Sequence, residues 1–268
     1  LLRRKAGSNL TKIIRKTHPA DIALLMRGFS TENQKIVFRL SPTFAYKAQI
    51  LEELDESLIE NVLSEESVAN ISKTFQYLGT NDQAMIVSML PEEQQAPILE
   101  KLEEEDLEDV EEIMSYADDS AGSVMTKETL ILNQNTTIGN AIEQLQSYPE
   151  NEKVFYVYVV DDKEKLVGVI SLRNLVTSKN TKKLREVMIK DIHAVTSDTD
   201  QEEVAKIVAQ YNYLALPVVN KQNKFLGIVT IDDIVDIIRQ EASEDFLQMA
   251  GVGKGREILL KSPLENAQ

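Results

Sequence analysis

The sequence predicts a multi-domain chain: an all-α, superhelical N-terminal domain, then an α/β tandem pair, then the start of a connecting helix. Three observations predict it. From residue 1 to about 117, apolar residues recur at spacings of three and four, without β-branched alternation. From 118 onward, β-rich runs alternate with helical stretches. That second half also carries one pattern twice. Val160 and Val219, Gly168 and Gly227, and Ser171 and Thr230 are each about 59 residues apart, and Val124-Met125 and Val187-Met188 about 63.

The helical half reads in order. Leu10, Ile13 and Ile14, then Ile22, Leu24 and Leu25, and so on to Ile71, Phe75 and Leu78, mark successive apolar stripes. Breaks are expected at His18-Pro19, Ser41-Pro42, Gly79-Thr80-Asn81, Pro91 and Pro97, giving helices of roughly 10 to 15 residues. Ser41-Pro42 and Leu90-Pro91-Glu92-Glu93 read as helix starts, with proline in the first turn and acids at the positive end of the helix dipole. The product is a stack of short antiparallel helices. Residues 100–112 form an acidic helix striped by Leu99, Leu102, Leu107, Val110 and Ile113. Its charged side is either solvated or repels another acidic surface until a cation lies between them.

Asp118-Asp119-Ser120-Ala121-Gly122-Ser123 reads as a polar hinge, which sets the domains at 1–117, 118–181 and 182–246, with a linker and the connecting helix over 247–268. Each repeat copy gives a short strand, a helix (138–147 and 201–212) and a buried strand. A hairpin turn (161–164 and 220–223), a strand ending at the Gly, and a helix opened by Asn174 or by Asp232-Asp233 follow. The runs 154–160 and 214–219 fit strands buried on both faces. The closing helix, from Ile231 to about Met249, puts Ile234, Val235, Ile238, Ala242 and Phe246 on one face and Asp233, Asp236, Glu241 and Glu244 on the other. Like charges so spaced repel by a few tenths of a kcal/mol each, so this face would gain from a bound cation.

Composition narrows the function. Acids outnumber Lys and Arg 44 to 29, a net charge of −15, which argues against a nucleic-acid partner and favours cations or a solvated acidic surface. The absence of cysteine removes disulfides and thiolate metal sites, and His18 and His193 are too few and too far apart to argue for zinc. No run reaches the roughly 18 to 20 apolar residues of a membrane span. The chain begins Leu1-Leu2-Arg3 without Met, so it is expected to be a piece of a longer protein. There is no Ser/His/Asp or Cys/His set, and Gly251-x-Gly253-x-Gly255 follows a helix rather than a strand, so catalysis is not expected.

Each repeat copy, ending in Gly-hydrophobic-x-[Ser/Thr]-x-x-[Asp/Asn], resembles a cystathionine-β-synthase (CBS) motif, and two in tandem resemble a CBS pair packed about a pseudo-twofold axis. His18-Pro19-Ala20-Asp21-Ile22-Ala23, the stretch from Tyr116 through Ala121-Gly122-Ser123-Val124-Met125-Thr126, Thr199-Asp200-Gln201-Glu202-Glu203-Val204-Ala205 and Leu216-Pro217-Val218-Val219 carry a more specific likeness. With Thr230-Ile231-Asp232-Asp233-Ile234-Val235-Asp236 and Glu241-Ala242-Ser243-Glu244-Asp245, they make the whole chain similar to the cytosolic region of the MgtE magnesium channel/transporter family.

That resemblance implies a Mg2+ sensor at the cytoplasmic face of the cell membrane. It implies a homodimer formed through the CBS domains, acting on a transmembrane domain of the same polypeptide. Mg2+ between acidic faces of the N domain, CBS pair and connecting helix would hold the closed state. The implied metal positions are Glu202 and the Ala209 carbonyl beside Asp236, Asp233 with neighbouring Asp232 and the Gly122 carbonyl toward the N domain, and Glu241, Glu244 and Asp245 toward the connecting helix or the dimer partner. The chain departs from the family's acidic pattern at Asn81, Met85 and Asn212, with Asp82 next to Asn81 as a substitute. An alternative is an adenine-nucleotide sensor for ATP or AMP. Ser171/Asn174 and Thr230/Asp233 would contact ribose, and Tyr156 and Arg173 would flank base or phosphate; Ser171 and Thr230 read equally as helix caps.

Overall fold

The computed structural model describes residues 7–148 and 154–249. Nine helices are described in the first half: α1 (Gly7–Ile14), α2 (Pro19–Met26), α3 (Thr31–Arg39), α4 (Phe44–Leu51), α5 (Glu56–Leu63), α6 (Val68–Phe75), α7 (Thr80–Met89), α8 (Glu92–Leu99) and α9 (Glu104–Met114). They run eight to eleven residues, shorter than their spacing predicts, because each gap holds a tight turn and a fresh cap. His18, Thr43 and Ser67 accept backbone N–H groups of the turns they open. Thr43, not Ser41-Pro42, is thus the start of α4. Pro97 breaks nothing: it lies inside α8, where in so short a helix it removes a single backbone bond.

Helices pack against the next but one, α2 on α4, α3 on α5, α4 on α6, α5 on α7, α6 on α8 and α7 on α9, the arrangement of a superhelical stack. Gln34 and Gln83 are buried in equivalent places. Gln34 donates its amide to the Met26 and Phe29 carbonyls, and Gln83 to those of Phe75 and Leu78. The helical domain therefore carries a repeat of its own, not apparent in its apolar spacing.

The second half holds α10 (Ala121–Val124), β1 (Leu130–Asn133), α11 (Ile138–Ser147), β2 (Tyr156–Val160), β3 (Leu166–Ser171) and α12 (Leu172–Thr177). Then come β4 (Val195–Thr196), α13 (Gln201–Tyr211), β5 (Ala215–Val219), β6 (Phe225–Thr230) and α14 (Ile231–Met249). Each copy forms a three-stranded sheet, parallel between its first two strands and antiparallel between the last two. The strands run past Gly168 and Gly227 to Ser171 and Thr230, so the glycines sit within strands rather than ending them.

The copies interlock reciprocally. Thr126, leading into the first, pairs with Ile228 of the second; Ile189, leading into the second, pairs with Val169 of the first. At the hairpin turns Leu166 N donates to the Asn223 carbonyl, and Phe225 N to that of Glu164. Tyr158, Leu166, Ala215, Val219 and Ile228 fill the seam between them.

A further expectation is corrected. Residues 118–123 are not a loose hinge, because α10 is clamped to the second copy. Ala121 N donates to the Thr199 carbonyl at 2.7 Å, Gly122 N to that of Ser197 at 2.9 Å, and Gln201 N to that of Asp119 at 2.9 Å. The apolar face of α14 is not all core. Ile234 and Ile237 are buried, while Val235, Ile238 and Phe246 are 39%, 47% and 69% exposed. The linker and connecting helix expected at 247–268 lie, from residue 250 on, outside the described residues.

Candidate functional site

The helical domain sits on the second repeat copy. Ala84 of α7 and Val110 and Ile113 of α9 share one buried cluster with Ala121, Met125, Val204, Val208, Ile234 and Ile237. This apolar contact brings the first turn of α7 against the first turns of α14, and both turns are acidic. Asn81 Nδ2 donates to Asp233 Oδ1 at 3.1 Å, with Asp82 beside it.

Charge is unwelcome here. Burial lifts the Asp82 carboxyl well above its ordinary value, and Asp233, Glu52, Glu128 and Asp236 add to the effect. Asp233 is pushed up to about 6 by burial, although Thr230 and Asn81 donate hydrogen bonds to it; Asp232 adds to the rise. Burial raises Asp236 as well, against the opposing Arg239, with Glu53 and Asp232 adding to it. Oxygen donors that repel one another across two domains have the chemistry that a hard divalent cation takes. Among the described residues no three His, Cys, Asp or Glu side chains form a ready-made metal cage. Carboxylates contributed singly from separate elements suit an ion that keeps its waters.

The other predicted positions fall as follows. Gly122 lies in α10, and a Cβ there would run into the Tyr116 ring, so only glycine fits. Glu202, in the first turn of α13, is exposed and accepts Lys206 Nζ at 2.9 Å. Ala209 lies in the last turn of α13, where helix carbonyls are left without intrahelical partners. Asp232 accepts the Thr230 hydroxyl at 2.5 Å, and Asp236 accepts Arg239 Nη1 at 3.0 Å. Glu241 accepts Gln201 Nε2 at 2.6 Å. The side chains of Glu244 and Asp245 lie outside the described residues. Asp233 and Asp236 are thus brought to the seam, with Asp232 next to them in the chain, whereas Glu241 is held by Gln201 across the α13–α14 contact and Glu202 by Lys206 on its own helix. Asn212 is the left-handed cap of α13 (φ 54°), a conformation asparagine tolerates, and Met85 packs into the helical core.

A second candidate lies between the copies. Tyr156 pairs in register with Ser171, and its ring stands edge-on to Tyr158, centroids 6.3 Å apart. Tyr158 is buried and its hydroxyl has no hydrogen-bond partner among the described residues. Ser171 Oγ accepts Asn174 N at 3.2 Å, so it is a helix cap, and Arg173 and Asn174 are exposed. Thr230 holds the equivalent position before α14, but it is no such cap: its N–H and hydroxyl both donate to Asp233. Sequence reasoning missed an aromatic ladder here. His193 stacks on Tyr211 at 4.3 Å, Tyr211 on Tyr213 at 5.5 Å, and His193 Nδ1 meets the Tyr213 hydroxyl at 2.5 Å. Burial raises the Tyr213 phenol, and neighbouring Tyr211, Asp191 and Tyr156 raise it further, which puts the ladder beside Tyr156. The signal in the sequence was Tyr211-x-Tyr213.

Residues 17–119 match the MgtE intracellular N domain, and residues 121–179 and 184–240 each match the CBS domain. A magnesium transporter MgtE of Thermus thermophilus is 30% identical over 247 residues, 91% of this chain and 55% of that protein. The chain spans about half the length of the curated relatives that it matches over nearly all of its own. The soluble part of a magnesium transporter matches with a TM-score of 0.77 at 26% identity, over 90% of this chain and 95% of that one. The cytosolic domain of the Mg2+ channel MgtE in complex with ATP matches with a TM-score of 0.81 at 29% identity, over 88% and 96%. Among the described residues no helix is long and apolar enough to cross a membrane.

Proposed function

Because this chain belongs to the MgtE family, as an MgtE intracellular N domain followed by two CBS domains, we propose that it is the Mg2+-sensing regulatory region of a longer magnesium transporter. The observation that carries this reading is the set of carboxylates facing one another across the seam, Asp82 against Asp233 and Asp236, in surroundings that disfavour their charge. A bound Mg2+ supplies positive charge and a hydrated shell that acids from separate elements can share. Ionised and unbridged, those acids push α7 away from α14; bridged, they favour the docked arrangement. The ion's preference for that arrangement sets the size of the shift.

The proposed ligand positions are Asp232, Asp233 and Asp236 with the Gly122 carbonyl at the seam, and Glu202 with the Ala209 carbonyl on the α13 side. Glu241, Glu244 and Asp245 face the connecting helix or a second copy. In this reading two copies associate through their CBS domains at the cytoplasmic face of the cell membrane, and docking closes the pore of the transmembrane domain. The relatives that match over most of the chain are magnesium transporters, and the reading assigns this region no catalysis.

A second, compatible reading is adenine-nucleotide binding, of ATP or AMP, between the CBS domains. It is favoured by the Tyr156 and Tyr213 rings, the unpartnered Tyr158 hydroxyl and the ATP complex of a similar structure. The first motif is the better host, because Asp233 of the second is already bonded to Asn81 and Thr230.

The test is small-angle scattering with limited proteolysis, from zero to about 20 mM Mg2+ at constant ionic strength, a range that covers weak carboxylate sites. The expected result is a radius that shrinks with Mg2+ in the wild type and no longer responds in Asp233→Ala/Asp236→Ala. A radius indifferent to Mg2+ but responsive to ATP would replace the magnesium sensor with the nucleotide sensor.

A further inference from the structure

Helix α7 lacks a side-chain cap of its own. Its cap position is Gly79, so the first-turn N–H groups meet no capping side chain from the residue before them, unlike those of α2, α4 and α6. The cap comes from the other domain. Glu128 accepts Thr80 N at 3.1 Å and the Thr80 hydroxyl at 3.3 Å, and its carboxylate also takes the Thr126 hydroxyl. This places a negative charge at the positive end of the α7 dipole, where it stabilises both the helix and the contact. Gly79 itself makes the approach possible. A Cβ there would stand 2.8 Å from Asn81 Oδ1, 3.3 Å from the Thr126 hydroxyl and 3.6 Å from Glu128 Oε2.

The neighbouring residue grips a second helix. Lys127 N donates to the Thr80 hydroxyl at 3.1 Å. Its largely buried ammonium group meets Glu112 at 2.5 Å and Asp109 at 3.4 Å, both on α9. The backbone that carries this pair is rigid, since Thr126 exchanges two backbone hydrogen bonds with Ile228 of β6. Two adjacent residues of opposite charge therefore reach from the CBS sheet to α7 and α9 at the seam, through bonds that involve no metal ion.

We infer that Lys127 and Glu128 form a cation-independent latch that seats α7 and α9 on the CBS pair and presents Asn81 and Asp82 to Asp233. The seam then has two parts: a latch that holds the domain in register, and a patch of acids whose repulsion a cation relieves. The latch makes weak cation binding sufficient, because the ion need only tip a nearly balanced equilibrium. This rests on the magnesium-sensing reading above, but the test separates the two.

The experiment measures the scattering radius of wild type, Glu128→Ala, Glu128→Gln and Lys127→Ala, first in EDTA and then during a Mg2+ titration. Glu128→Ala is expected to have the larger radius in EDTA and a Mg2+ midpoint raised about tenfold. Glu128→Gln should recover part of the effect, because its amide oxygen still accepts Thr80 N–H. Should Glu128→Ala fail to fold, Lys127→Ala, which keeps the helix cap, supplies the same comparison. Wild-type radius and midpoint in well-folded Glu128→Ala and Lys127→Ala overturn the latch. If Mg2+ leaves the wild type unchanged, the sensor reading falls, while a larger radius for the variants in EDTA still upholds the latch, and an equal one still overturns it.

Discussion

The two CBS motifs are built on one plan and end differently. In the first, Ser171 caps a helix of six residues, and the next polar positions, Arg173 and Asn174, face solvent. In the second, Thr230 opens a helix of nineteen, and its hydroxyl is held between Asp232 and Asp233. Asn174 and Asp233 occupy the same place in the repeat. One is a neutral amide in water. The other is a carboxyl group half-buried under a second domain and pushed up to about 6. Backbone architecture alone therefore does not make the sensor-like site; one side chain and the domain laid over it do. The helical domain chose the acidic copy because Ala84, Val110 and Ile113 extend that copy's core.

The comparison can be broken first through packing. Leu175 and Ile234 are equivalent and fully buried, one in each exit helix. Truncating either to alanine is expected to cost about 2 to 5 kcal/mol in urea denaturation. Only Ile234→Ala should also loosen the helical domain, seen as faster proteolysis within residues 80–114. Equal loosening by Leu175→Ala would mean that the two copies are coupled as one block.

A smaller effect comes from pH. Asp233 titrates at about 6 in the folded chain against an ordinary 3.8. Between those values the folded state keeps a proton that the unfolded chain has lost, so stability falls as pH rises through that window. In metal-free buffer, going from pH 7 to pH 5 should add about 1 kcal/mol from this group. Asp233→Asn should remove that part of the slope. Asn174, uncharged at the equivalent place, contributes none. A slope unchanged by Asp233→Asn would assign the titration to other groups.

The smallest effect is expected at α13, where Glu202 and Lys206 form an exposed pair one turn apart. Lys206→Ala should change stability by no more than about 0.5 kcal/mol. A larger loss would show that Glu202 is doing more than its surface position suggests.

Much of this organisation was legible in the residues. The repeat of about 59 positions, the helix at Ile138–Ser147 and the closing helix at Ile231–Met249 follow from periodicity and turn chemistry, which are local. What was not legible depends on distant partners. Gly122 and its neighbours read as a hinge because small polar residues usually mark one; the carbonyls of Ser197 and Thr199 that clamp them lie far along the chain. Val235, Ile238 and Phe246 share the apolar stripe of α14, but a stripe does not say which of its residues meet the core. Lys127 and Glu128 follow no spacing rule, and their roles exist only through Thr80 and Glu112. The acids of α14 were found because charge clustering on one helix face is itself a local pattern. Their crowding against Asp82 is made by docking and follows from no local pattern; only the family resemblance pointed to Asp82.

The reciprocal pairing of lead-in segments has a consequence for how the chain is made. Thr126 bonds to Ile228, a partner that leaves the ribosome roughly a hundred residues later, so this contact is among the most non-local in the chain. During synthesis Thr126 must wait for β6, whereas the edge of the first sheet at Val169 is met soon afterwards by Ile189, ahead of the second motif's strands. Each motif borrows a pairing from the segment that leads into the other, although each has its own sheet and core. A gene cut between them would yield two exposed edges that pair with whatever strand is nearest, a route to aggregation rather than to two small domains.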